Sequence, residues 1–179
     1  MRTKINSVSL AAVVLLAVSL LFATSAAAKK NGEKGSYIKP TVTAEQAISA
    51  VKAALPKVTV GKSFVKTGKR GEKKLEVTLV LDGKIVSKVR LNPGTGEIMP
   101  KGQEVLAQEV SASEGQAVKI VQQAIPNLEV ASVRLGKHGE WKVDLTLKKA
   151  VVASMSVHGG DGSILPDWKA SRDEALYKE

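Results

Sequence analysis

The sequence predicts an α+β protein made of two tandem repeats, each one helix packed on a three- to four-stranded antiparallel sheet. Self-similarity predicts it first: Thr43–Pro56 (TAEQAISAVKAALP) aligns with Ser113–Pro126 (SEGQAVKIVQQAIP) at an offset of 70. Further on, Leu75–Leu81 (LEVTLVL) aligns with Trp141–Leu147 (WKVDLTL) at an offset of 66, which holds to Pro100 and Pro166. Within each copy the apolar period then changes from that of a helix to that of a strand. The four residues between the offsets fall in a loop, Lys66–Lys74 in the first copy and Gly136–Glu140 in the second. Loops absorb length changes at little free-energy cost.

Each copy opens on a helix. Thr43 and Ser113 are suited to N-caps, and Gln46 and Gln116 stand three residues later, as a capping box requires. Ala47, Ile48, Val51, Ala54 and Leu55 form one apolar stripe, matched by Ala117, Val118, Val121, Ala124 and Ile125. Pro56 and Pro126 then end the helices, because proline lacks the backbone donor. Val58–Val65 and Leu128–Leu135 read as first strands whose alternation is blurred by a bulge.

In the next strand Leu75, Val77, Leu79 and Leu81 alternate with Glu76, Thr78, Val80 and Asp82. Its counterpart alternates Trp141, Val143, Leu145 and Leu147 with Lys142, Asp144, Thr146 and Lys148, with Trp141 expected in the core. Asp82-Gly83 is a strong two-residue hairpin turn into Ile85–Leu91. The second copy has Lys148-Lys149 there, from which a different turn is expected. One face of each sheet is apolar enough to take a helix and the other polar enough to meet water.

The glycine-containing stretches LNPGTGEIMP (Leu91–Pro100) and VHGGDGSILP (Val157–Pro166) invite a phosphate-loop reading. That reading fails on chemistry: Glu97 and Asp161 carry the wrong charge, and no helix start follows. Gly96 and Gly162 are expected instead to supply a positive φ in tight turns before a short last strand.

The chain ends differ from this core. Residues 1–28 run from Arg2 and Lys4 through the apolar Leu10–Phe22 to Ala26-Ala27-Ala28, the order of a cleaved signal peptide. The rival reading is an uncleaved anchor, since Val8–Ala28 carries no charge and is long enough to span a bilayer. Residues 29–40 read as a flexible leader, 41–100 and 111–166 as the two domains, and 101–110 as the linker. Residues 167–179 read as a tail with a short helix capped by Ser171, in which Leu176 docks on Trp168. An exported protein, periplasmic or extracellular, is the expectation. The absence of cysteine rules out disulfides and a lipoprotein anchor.

The formal charge of +10 falls to +8 once residues 1–28 are removed, and it favours anionic partners. Nucleic acid is disfavoured, because aromatic residues for base stacking number only two each of Trp, Tyr and Phe. No metal motif, cofactor loop or nucleophile elbow appears, so no catalytic, metal or cofactor residue is assigned and a non-enzymatic role is expected. His138 and His158 read as surface residues beside turns.

Candidate partner-binding residues are cationic. Lys66, Lys69, Arg70, Lys73 and Lys74 crowd the loop KTGKRGEKK against the single acid Glu72. That loop reads either as a solvated hairpin tip or as an anion-docking finger. Lys88, Arg90 and Lys142 belong to the polar sheet faces, which read either as plain solvated surfaces or as an open platform for a protein partner.

Residues 41–166 resemble the PepSY domain family. The resemblance is carried by the cap-x-x-Gln-Ala helix opening, the terminating proline, the alternating strands and the ending NPGTGEI, similar to the family's D-x-x-T-G-x-[IV] with Asn92 at the aspartate. The second copy, ending HGGDGSI, lacks both the aspartate and the threonine. The resemblance implies small helix-on-sheet domains of exported or membrane-attached bacterial proteins, associated with binding or restraining proteases. The expected partner is thus a protein, such as a peptidase, or else an anionic polymer or lipid of the cell envelope.

Overall fold

The computed structural model describes residues 39–177, so the signal-peptide segment and leader residues 29–38 lie outside the described residues. The first half contains helix α1 (Ala44–Ala54) and strands β1 (Thr59–Thr67), β2 (Lys73–Leu81) and β3 (Lys84–Leu91). The second contains helix α2 (Glu114–Ala124) and strands β4 (Glu129–Leu135), β5 (Trp141–Leu147), β6 (Ala150–Val157) and β7 (Ile164–Leu165). Helix α3 (Trp168–Tyr177) follows. Strands β1-β2-β3 make sheet 1 and β4-β5-β6-β7 make sheet 2, both antiparallel in meander order.

Both helices begin on complete capping boxes. The Thr43 hydroxyl accepts from the Gln46 N–H at 3.3 Å while the Gln46 side chain accepts from the Thr43 N–H at 2.8 Å. Ser113 and Gln116 repeat this at 3.3 and 2.9 Å. Pro56 and Pro126 sit in 3-10 turns that end the helices, Leu55–Lys57 and Ile125–Asn127. The expected bulges lie between Val60 and Ser63 and between Val130 and Ser132.

Each sheet carries one helix on its apolar face, but the helix comes from the other half of the chain. Helix α1 lies against β4, β5 and β6, and α2 lies against β1 and β2. The expectation that each helix covers its own sheet is therefore corrected in connectivity. Ala47, Val51, Ala117 and Val121 join Leu75, Val77, Leu79, Val143, Leu145 and Met155 in one continuous core. A single core spanning both halves buries a larger share of its surface than two separate cores of half the size.

The glycine-containing turns are the seats of this exchange. The Thr41 and Val42 N–H groups donate to the Gly159 carbonyl at 2.8 and 2.9 Å. The Ser111 and Ala112 N–H groups donate to the equivalent Pro93 carbonyl at 2.9 and 3.1 Å. Trp141 is half-buried on the core face, and its indole N–H donates to the Val42 carbonyl at 2.8 Å. A Cβ at Gly159 would lie 1.9 Å from the Gly139 oxygen, so only glycine fits there. Gly96 and Gly162 have φ of 76° and 75°, as their turns require.

A second reciprocal pair joins β3 to β6. Lys101 N–H donates to the Val151 carbonyl at 2.6 Å and Asp167 N–H to the Ile85 carbonyl at 2.8 Å. The Ser87 hydroxyl donates to the Ser154 carbonyl at 2.7 Å between them. Segment 101–110, expected as a linker, is thus tied down at Lys101, and again at Ala107, whose carbonyl accepts from the Lys73 N–H at 2.8 Å.

The β5–β6 turn corrects a further expectation. It does not differ from the Asp82-Gly83 turn: Lys148 and Lys149 adopt φ of 50° and 69°, beside 49° and 75° at Asp82 and Gly83. The cause is register, because Leu147 pairs with Ala150 as Leu81 pairs with Lys84, leaving a two-residue loop that must match the strand twist. Two lysines are therefore held in the left-handed region. Replacing Lys148-Lys149 by Asn-Gly is expected to raise stability by about 1–2 kcal/mol in thermal or denaturant unfolding. Fragments 29–103 and 104–179, which divide the shared core, are expected to show little structure by circular dichroism when separate and to fold on mixing. Independent folding of either fragment would contradict the exchanged packing.

Candidate partner-binding surfaces

The outer face of sheet 1 is formed by Phe64 and Lys66 on β1, Glu76 and Thr78 on β2, and Lys88 and Arg90 on β3. It is not an open polar face. Helix α3 lies over β1 and β3, leaving Phe64, Glu76, Thr78 and Asp173 buried. The helix begins at Trp168 on Asp167, whose carboxylate accepts from the Ala170 N–H at 2.9 Å. Ser171, expected as the cap, sits inside the helix and donates to the Asp167 carbonyl at 2.9 Å. Trp168 and Leu176 do not dock together as expected: they are 69% and 67% exposed, with Arg172 over the Trp168 ring at 5.2 Å.

The contact beneath α3 is ionic. Lys66 and Lys88 each place Nζ 3.0 Å from Asp173 Oδ2. Lys88 also pairs with Glu76, and Arg90 Nη2 lies 3.2 Å from Glu76 Oε1. The Thr78 hydroxyl donates to Glu174 Oε2 at 2.8 Å. Burial alone would push the Asp173 carboxyl up, but hydrogen bonds from Lys66 and Lys88, with their charges, outweigh it and hold the group below its ordinary value. Of the cations singled out for partner binding, Lys66 and Lys88 thus hold the protein's own tail, and Arg90 is engaged by Glu76 within the sheet.

The outer face of sheet 2 is different. It displays Ser132 and Arg134 on β4, Lys142 and Asp144 on β5, and Ser154 and Ser156 on β6. No helix among the described residues lies over it. Arg134, equivalent to the buried Phe64 of sheet 1, is half exposed and pairs with Asp144. Lys142 is also substantially exposed, 3.6 Å from Glu140. Asp144 is buried under side chains alone, with Lys101 3.7 Å away. Burial would raise its carboxyl, yet hydrogen bonds from Ser154 and Ser132 and the charges of Arg134 and Lys101 hold it low.

The basic loop divides into committed and uncommitted cations. Lys74 pairs with Glu104 at 2.9 Å and Glu72 at 3.3 Å, which raises its ammonium, the Glu104 hydrogen bond contributing most. Lys73 Nζ donates to the Thr67 hydroxyl at 3.1 Å. Lys69 and Arg70 are exposed at the tip, with no carboxylate in ion-pair range of either side chain among the described residues. Where β3 meets β6, Ser87, Lys88, Arg90, Lys101 and Ser154 line a cleft of about 180 Å³. That is below the roughly 300 Å³ at which small-molecule pockets begin.

His158 Nδ1 lies 3.0 Å from Asp161 Oδ1, which also accepts from the Ser163 hydroxyl at 2.7 Å. The carboxylate stands between serine and imidazole, so the hydroxyl proton is directed to Asp161 rather than to a histidine base. No group of three or more His, Asp or Glu among the described residues is arranged to hold a metal.

Sequence reasoning missed Asp173 and Asp167. Their available signal was the acid-bearing tail DWKASRDEALYKE in an otherwise basic chain. Asp173→Asn is expected to cost about 2–3 kcal/mol at neutral pH by removing the carboxylate that Lys66 and Lys88 share, which leaves Lys66 without its partner while Lys88 keeps Glu76. Because the folded carboxyls of Asp173 and Asp144 are depressed, their stabilisation is present above the unfolded value of about 4 and is lost as pH falls through the folded one. The acid loss of stability is expected to be shallower in Asp173→Asn, as measured by urea unfolding from pH 7 to 3. Comparison of the chain with protein-family models, with curated proteins and with solved structures finds no match.

Proposed function

We propose that this is an exported, non-enzymatic, PepSY-like binding module that works through the outer face of sheet 2. The supporting observation is the inequality of the two outer faces: sheet 1 is filled by α3, whereas sheet 2 presents Arg134, Lys142, Ser132 and Ser156 with no helix of the described residues over them. A rigid antiparallel face with fixed cations suits a flat or convex protein surface better than a small ligand. An extracytoplasmic protease is the partner that the PepSY resemblance favours, restrained by steric occupation and polar contacts rather than by chemistry. Arg134 and Asp144 make the middle of the face self-neutralising, so Lys142 and the serines carry recognition.

A second reading rests on the hairpin tip. Lys69 and Arg70 are exposed and uncommitted among the described residues, which supports a basic envelope-associated module binding anionic polymer or lipid.

Pull-down from cell-envelope extract at low and high salt separates the two readings. A protein partner retained by the wild type at high salt, and lost in Lys142→Glu and Ser156→Trp, is the expected result. Release of everything at high salt, with no effect of either substitution, overturns the first reading and favours the second.

A further inference from the structure

Building on the second reading, we infer that the hairpin end of sheet 1 docks on the surface of an anionic lipid bilayer, with Leu106 entering the bilayer. Leu106 is 68% exposed and its neighbour Val105 36% exposed. They sit on the segment pinned beside β2, where Lys73 and Ala107 form an antiparallel bridge. Arg90 Nη1 donates to the Gln103 carbonyl at 3.3 Å, and Lys74 holds Glu104 at 2.9 Å, so the segment is anchored on both sides of Leu106. The Gln108 side chain reaches toward Gly71 of the hairpin tip. An apolar side chain is thereby presented on a tied backbone next to the basic tip.

The charges around it point the same way. Among the described residues, Lys69 and Arg70 are exposed with no carboxylate in ion-pair range, and the Lys73 ammonium is held by the Thr67 hydroxyl alone. Of the nearby acids, Glu72 and Glu104 share Lys74 and so keep one net negative charge, and exposed Glu109 adds another, which leaves the patch net positive by one against Lys69, Arg70 and Lys73. The longer hairpin belongs to the first half alone, so the patch has no counterpart in the second half.

A bilayer accounts for both elements at once. A soluble anionic polymer offers nothing to an exposed leucine, and one leucine is far too small a centre for a stable protein interface. An anionic leaflet attracts the cations, whose long stems keep their charges at the headgroups while the leucine enters the acyl boundary. Each cation near such a surface raises partitioning about fivefold, and burying a leucine raises it about tenfold or more.

The test uses the protein from Lys29 onward, which keeps the whole compact unit Gly35–Glu179 and removes the apolar run that would itself bind lipid. Co-sedimentation is measured with phosphatidylcholine vesicles, with vesicles containing phosphatidylglycerol, and in parallel with soluble dextran sulfate. Expected is binding to the anionic vesicles alone among the two lipids, reduced about tenfold in Leu106→Ser with dextran sulfate binding unchanged. Lys69→Gln with Arg70→Gln is expected to reduce vesicle binding about 25-fold and to weaken dextran sulfate binding as well. Equal vesicle binding by Leu106→Ser, or no vesicle binding by the wild type, overturns the inference. If dextran sulfate binding persists and depends on Lys69 and Arg70, the anionic-polymer reading survives that result; if it too is absent, that reading falls with it. Leu106 is solvated, so an unchanged melting temperature separates loss of docking from loss of fold.

Discussion

Two carbonyl oxygens, those of Pro93 and Gly159, each receive the pair of backbone N–H groups that leads into the helix of the opposite half. These four bonds place α1 on sheet 2 and α2 on sheet 1, and through them the two halves share one core. Everything else follows from that reciprocity. The β3–β6 junction falls on the pseudo-twofold axis, with Lys101 bonding Val151 and Asp167 bonding Ile85. The segment after Pro100 has to cross at that junction, which ties it to the sheets and leaves it no freedom to act as a hinge. Gly159 lies where two chain segments come too close for any side chain, and that proximity explains a glycine that a turn alone would not demand.

Duplication fixes symmetry only where the core requires it, and the outer faces have diverged. At matching positions sheet 1 has Phe64, Glu76, Thr78, Lys88 and Arg90, and sheet 2 has Arg134, Lys142, Asp144, Ser154 and Ser156. The first set gives an apolar anchor and cations for an acidic helix, and α3 takes the site with Asp173 and Glu174. The second set gives a self-contained network around Asp144 and no apolar anchor. A face that keeps its own polar side chains in balance stays hydrated with no helix of the described residues over it.

The distribution of positive charge follows the same division. The net charge of the chain suggests a uniformly basic surface, yet Lys66, Lys74, Lys88 and Arg90 are consumed internally. Exposed cations remain at the hairpin tip, on Lys69 and Arg70, on both helices at Lys52 and Lys119, and at the turns, as at Lys84, Lys137, Lys148 and Lys149. Local strain adds a further asymmetry: Lys148 and Lys149 hold a turn made for Asp-Gly, because the register of β5 and β6 leaves the loop no third residue. Fold regularity there overrides residue preference.

Local rules were legible in the sequence, and they determined the helices, their capping boxes, the bulged strands and the positive-φ turns at Gly96 and Gly162. These depend on residues within a few positions of one another, so spacing and residue type suffice. The candidate cations were legible as charges but not as free charges, since a lysine's partner is set by what packs above it. Which helix covers which sheet was not legible, because the two helix stripes are alike and the two apolar faces are alike, and only the shared core and the Pro93 and Gly159 contacts distinguish the arrangements. The docking of α3 was equally hidden: Asp173 lies 107 residues from Lys66 and 85 from Lys88, and nothing local marks them as partners. Sequence determined the parts because short-range sterics and hydrogen bonds do; tertiary structure decided their pairing because burial and charge are satisfied only across the whole molecule.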